Sequence, residues 1–264
     1  YYLHYRHVKY YAYLYPFLTL PKERHLFKQG SRFSRAWELY RFDKKLRMLL
    51  FNEIEKIEVA LRSTVANMVA EETGNIFWMT DGSLFANEDK FRKTMALVDK
   101  ELKGSKEDFI KHFKNKYSND YPPAWMLVEI LPLGIVTRIY DNLADNALRK
   151  KIAARFLLPV PVFSSWITII TLVRNTCYHH SRVWNKENAI TPMLLKKTPF
   201  RWISKQISPN RTFYDVCILK WFIDIISPEN DMKSHLKNLL SDFPHVDIAA
   251  MGFPKNWEEE PLWK

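Results

Sequence analysis

Between Ser34 and Thr73 the chain carries neither Gly nor Pro, and Phe42, Leu46, Leu49, Ile54, Ile57, Leu61, Val65 and Met68 recur at steps of three to five residues. Residues so spaced share one stripe of a helix, and Gly74 supplies its expected stop. Gly is scarce throughout, at 6 of 264 residues. Strand-type alternation is hard to find, so the expected class is all-α.

The rest of the chain fits that reading. A second helix opens at Asn87 with Glu88 and Asp89 in its first turn, carries Phe91, Met95, Val98 and Leu102 as its apolar stripe, and closes at Gly104. Ser105 with Asp108 predicts a third by capping-box logic. After Pro122-Pro123, the run AWMLVEILPLGIVTRIY predicts a helix interrupted near Pro132 and Gly134. Further helices are expected over Asp145–Phe156, from Ser164 or Ser165 to Val183, over Thr212–Ile226, and near Asp231–Leu240. The Tyr-crowded opening, YYLHYRHVKYYAYLYPFL, reads as a helix packed on a core, with stacking on bases the alternative. Neither an internal repeat nor a low-complexity linker marks a boundary. One domain over 1–264 is expected, with a core at about 34–190 and a C-terminal extension at about 191–264.

With 47% hydrophobic and 15% aromatic residues, the chain buries a core without staples. Its formal charge of +11 suits a polyanionic partner. Two cysteines, Cys177 and Cys217, make no disulfide framework, which fits a reducing cytoplasm. The longest apolar stretches, such as Trp166 to Val173, fall far short of the ~20 residues that span a bilayer, so no membrane association is expected. The sequence begins at Tyr1 rather than Met, so the true N-terminus is expected upstream of it.

Polar residues concentrate abruptly at the end of SSWITIITLVRNTCYHHSRVW. Trp166, Ile169, Ile170, Val173 and Cys177 form the core stripe. Asn175 and His179 stack one turn apart on the opposite face, and Arg182 joins them. Arg174 lies about 140° from His179, and His180 falls back towards Cys177. That distribution suits a site shared between two copies of the helix. Metal-free RNA cleavage needs a base for the 2′-hydroxyl, an acid for the leaving 5′-oxygen and a cation for phosphate, and two copies of Arg174 and His179 across a twofold axis supply all three. Asn175 would orient His179 or the phosphate. A structural role for the same residues is the plain alternative. Metal binding by Cys177, His179 and His180 is the weaker one, since adjacent His side chains diverge on a helix, and no cofactor motif is present.

Two acidic positions bear on this cluster. Glu58 and Arg62 are spaced for an i,i+4 ion pair, with Arg62 also a candidate to face RNA. Glu129, inside an apolar run, needs a cationic or hydrogen-bonding partner; a structural pair is the default, and a supporting pair with Arg62 or Arg174 the alternative.

Four segments, YRFDKKLRMLLFNEIEKIEVALR (Tyr40 to Arg62), PPAWMLVEILPLG (Pro122 to Gly134), RNTCYHHSRVWN (Arg174 to Asn185) and MGFPKNW (Met251 to Trp257), together resemble the Abi-like family of bacterial abortive-infection proteins, related to the HEPN superfamily of ribonucleases. The resemblance implies a HEPN-like helical bundle, a cytoplasmic homodimer, and metal-independent endoribonuclease activity in phage defence. It gives Arg174 and His179 the catalytic roles with Asn175 in support, and leaves His180 open as the acid-base group. Arg41, Lys44, Lys45, Arg47, Arg62 and Arg182 are then the candidates for RNA contacts. Expected partners are RNA as substrate, and a structured noncoding RNA or a protein antitoxin as restraint. A non-catalytic RNA-binding or sensor protein is the alternative from another class, and a partner-binding helical module the third.

Overall fold

A computed structural model describes residues 7–196, 201–204 and 206–264, with side chains from residue 11 onward. Among these residues there are ten α-helices and no strand, as the all-α reading requires. In chain order they are α1 (His7–Leu14), α2 (Phe33–Thr73), α3 (Glu88–Gly104), α4 (Asp108–Lys116), α5 (Ala124–Ile130), α6 (Leu133–Asn142), α7 (Asn146–Ala154), α8 (Val160–Tyr178), α9 (Thr212–Ile226) and α10 (Met232–Asp242).

Contacts partition the chain into two compact units, and the partition passes through α2 and α8. The first unit takes residues 1–54, 172–191 and 196–264, so most of the expected C-terminal extension clusters with the start of the chain. Its centre is α9, on which every residue from Thr212 to Ile223 is buried. A helix apolar on all sides must be covered on all sides. Aromatic rings do the covering: Phe253, Trp257 and Trp263 surround Phe213, at centroid distances of 4.4, 6.5 and 6.2 Å. The Trp263 indole donates to the Cys217 sulfur at 3.3 Å. The turn that brings Phe253 in requires Gly252, which sits at φ +86° with its missing Cβ only 2.7 Å from the Arg211 Cβ.

One carboxyl sits inside this core. Asp215, in the first turn of α9, accepts from the Asn188 side-chain amide with both oxygens at 2.8 Å. Burial pushes its pKa up to about 7, partly opposed by Asn188 and by the nearby Lys186 ammonium. Because the folded pKa lies above the unfolded one, the fold binds a proton that the unfolded chain releases, and stability falls as pH rises from about 4 to about 7. Asp215→Asn should therefore flatten this decline and raise stability at pH 8 by on the order of 1–3 kcal/mol. Urea unfolding of both proteins at pH 5 and pH 8 checks it, and equal pH dependence in the two would refute it.

The second unit takes residues 55–171 and 192–195. The break at Pro132 is real, and it separates α5 from α6. Arg62 closes the end so exposed: its Nη1 donates to the Glu129 carbonyl at 3.3 Å and its Nη2 to the Leu131 carbonyl at 2.8 Å. Those carbonyls have no partner within their own helix, and a guanidinium fork satisfies both. Asn87 caps α3 as expected, accepting from the Lys90 amide at 2.8 Å. The Ser105–Asp108 capping box does not form; Glu107 occupies the cap position and Ser105 accepts from the Glu107 amide. Nor does a serine cap α8, which starts at Val160 with Pro161 in its first turn. Ser165 instead accepts from the Met193 amide at 2.8 Å, beside the Trp166 indole bonded to the Met193 carbonyl at 3.0 Å.

Candidate functional site

The polar end of α8 lies wholly in the first unit. Its helix stops at Tyr178, five residues before the expected Val183, and the stop has a clear geometry. The His180 amide donates to the Cys177 carbonyl at 3.0 Å and the Ser181 amide to the Thr176 carbonyl at 2.9 Å, the two bonds of a Schellman ending. The left-handed residue that ending demands is His180, at φ +55°. Glycine is usual there, but His is among the residues that adopt the region more often than most.

This ending sets what the cluster looks like. Asn175, Tyr178, His179 and His180 are exposed and Arg174 is half-buried. The Arg174 guanidinium lies over the Tyr178 ring, 4.9 Å from its centroid, and the His179 ring meets the same Tyr178 edge-on at 5.3 Å. Arg174 Nη1 also reaches the Asn175 side-chain oxygen at 3.5 Å. Tyr178 thus brings the cation and the imidazole together through one ring. The i,i+4 spacing of Arg174 and Tyr178 is the signal that would have found it. Cys177 faces inward, and burial pushes its thiol up to about 12, which leaves no thiolate nucleophile. Among the described residues no group of three or more His, Cys, Asp or Glu is placed to hold a metal ion.

What fixes the segment after the turn is a buried carboxylate the sequence reading passed over. Asp43, fully buried on α2, accepts from the Val183 amide at 2.9 Å and from the Trp184 amide with one oxygen. Its other oxygen accepts from the Tyr13 hydroxyl and the Arg47 guanidinium. Burial pushes the Asp43 carboxyl up, and the Arg47 charge with the hydrogen bonds from Tyr13, Trp184 and Val183 pulls it back. Arg47 also donates to the Tyr13 oxygen at 3.0 Å and towards the Ser181 carbonyl at 3.4 Å. The Thr212 hydroxyl holds the Val183 carbonyl at 3.0 Å, so both neighbours of the turn are anchored.

Several expected RNA contacts change role. Arg47 is only 7% exposed and belongs to this anchor, so it does not face a ligand. Arg62 pairs with Glu58 and caps α5, the plainer of its two readings. Arg182 no longer shares a face with Asn175 and His179, because the helix has ended; it donates to the Ala12 carbonyl at 2.9 Å. Glu129 is exposed, and among the described residues its carboxylate has no ion pair, so it neither needs nor supplies the expected partner. Arg41, Lys44 and Lys45 are exposed, with Lys45 paired to Asp242 at 3.1 Å.

With that geometry in place, the comparison with known families is specific: the model for Abi-like protein matches residues 3–185, well over half the chain. The chain belongs to the Abi-like protein family. Membership suggests a part in abortive-infection phage defence, and the match takes in both Asp43 and the whole Arg174–His180 cluster of this Abi-like chain. No curated protein and no solved structure matches it. No helix among its described residues is long and apolar enough to cross a membrane.

Proposed function

We propose that this Abi-like chain is a metal-independent endoribonuclease of the HEPN type, active as a homodimer in which the ends of two α8 helices form one site. The observation that supports it best is the grouping of half-buried Arg174 with exposed Tyr178 and His179 at a helix end closed by a Schellman turn. Imidazoles and a guanidinium are the groups that in-line cleavage by a 2′-hydroxyl requires. A His179 imidazole takes the 2′-hydroxyl proton, the 2′-oxygen attacks phosphorus, and the P–O5′ bond breaks. The second imidazole, from the partner copy or from His180, protonates the leaving 5′-oxygen. Arg174 holds the phosphate oxygens as charge develops on them. The products are a 2′,3′-cyclic phosphate and a 5′-hydroxyl.

The dimer has its own support. Leu172 and Tyr178 are 38% and 57% exposed at this helix end, apolar area that a second copy would cover.

The test is cleavage of single-stranded RNA in EDTA, with the new ends mapped chemically. Cyclic-phosphate and 5′-hydroxyl ends, produced at a specific rate that rises with protein concentration until the dimer saturates, are the expected result. Absence of cleavage, with RNA still bound, would turn the assignment to the non-catalytic RNA-binding reading.

A further inference from the structure

We infer that the groove along the first turns of α2 is a binding site for single-stranded RNA, separate from the cluster on α8. The groove encloses about 580 Å³ and is walled by Arg32, Arg35, Arg41 and Lys45 with the rings of Trp37 and Phe243. Two carboxylates share it, and each is already matched: Arg35 holds Glu38 at 3.1 Å and Lys45 holds Asp242 at 3.1 Å. The charges of Arg32 and Arg41 are left over, so the groove carries a net positive charge in a concave setting, where fields are focused. The two paired cations are about half exposed, and exposed pairs exchange partners at little cost when a phosphate arrives.

The rings decide the kind of polyanion. Phe243, only 5% exposed, lies beneath Arg41 and Lys45, 5.9 and 5.2 Å from its centroid, so it positions those cations and takes no base itself. Trp37 lies parallel to Tyr40 at 5.4 Å and contributes to the groove wall. Guanidinium groups beside flat rings fit a chain in which phosphates alternate with unstacked bases, and a single strand presents both where a duplex hides the base faces. An anionic membrane could also meet cations as exposed as these, and Phe33, exposed beside Arg32, makes such a bilayer the competitor to test.

Arg35 and Glu38 also line a second cleft, about 360 Å³, together with Trp184 and Asn185. This inference stands without the cleavage reading, because binding can be measured on protein that cannot cleave.

The experiment uses the full chain as His179→Ala and a fluorescent single-stranded RNA oligonucleotide in EDTA. Affinity should fall steeply between about 50 and 200 mM salt. The pair Arg32→Ala, Arg41→Ala should lower the slope of log affinity against log salt by about 1.4, two phosphate contacts' worth for a single strand. Trp37→Leu should weaken binding about 5- to 100-fold, the loss of one stacked base. A control pair on the exposed face of α3, Lys100→Ala, Lys103→Ala, should change neither by as much. Equal losses in the groove pair and the control pair would overturn the site. So would duplex RNA bound as tightly as single-stranded RNA, or vesicles of anionic phospholipid displacing the strand through Arg32 and Arg41. Because Arg32 and Arg41 are exposed, their test does not hinge on whether Trp37→Leu folds.

Discussion

Replacing His179 with Ala is expected to slow RNA cleavage in EDTA by about 10²- to 10⁴-fold, the usual worth of a positioned acid-base group. The side chain is exposed, so the loss should come with little change in thermal stability. Arg174→Ala should slow the reaction by a similar factor, and Arg174→Lys should recover only part of it, since an ammonium keeps the charge but not the fork. The turn geometry makes the neighbouring position separable. His180→Gly removes the second imidazole and keeps the left-handed backbone that the helix ending needs. If His180 supplies the acid, this variant falls as far as His179→Ala; if it falls less than tenfold, His179 from the two copies carries both proton transfers. Cleavage by His179→Ala at the wild-type rate would remove the catalytic assignment.

The largest structural effect should follow from Asp43→Ala, with a loss of about 3–5 kcal/mol on unfolding by urea. The substitution strands the Arg47 guanidinium, which is itself buried, and frees the Val183 and Trp184 amides. Removing both charges, as Asp43→Leu with Arg47→Leu, should cost less than Asp43→Ala alone, because no buried charge is left unpaired. A loss below about 1 kcal/mol for Asp43→Ala would mean that the network is not anchoring the turn. Cleavage by Asp43→Asn, assayed well below its unfolding temperature, separates positioning from stability. A folded protein with a slowed reaction is the signature of a displaced α8 end.

The long helix α2, the interruption at Pro132, the Asn87 cap and the span of α9 were legible because each rests on local rules: apolar spacing, a missing amide, a cap three residues from its donor, a run with no polar side. The end of α8 was not. Its sequence continues with residues that a helix tolerates, and the segment beyond the stop is held by Asp43, some 140 residues away in the chain. The candidate site was half visible for the same reason. Arg174, Asn175 and His179 do gather at one helix end, but Tyr178 between them reads as an ordinary apolar residue. Arg47 was misjudged as a surface cation because charge alone does not tell whether a carboxylate will claim it, whereas Arg62 took the Glu58 pair that its spacing favoured. Glu129 erred in the opposite sense: apolar neighbours in sequence left it on the outside face of a short helix.

The make-up of the first unit has a consequence for timing. Its early residues, up to position 54, leave the ribosome long before the residues of α9 and the tryptophans that wrap it. Until Thr212 is available to grip Val183, the segment behind the paired histidines lacks one of its two holds. Synthesis proceeds at about 5–20 residues per second, so a nascent chain would spend seconds with the end of α8 lacking that hold.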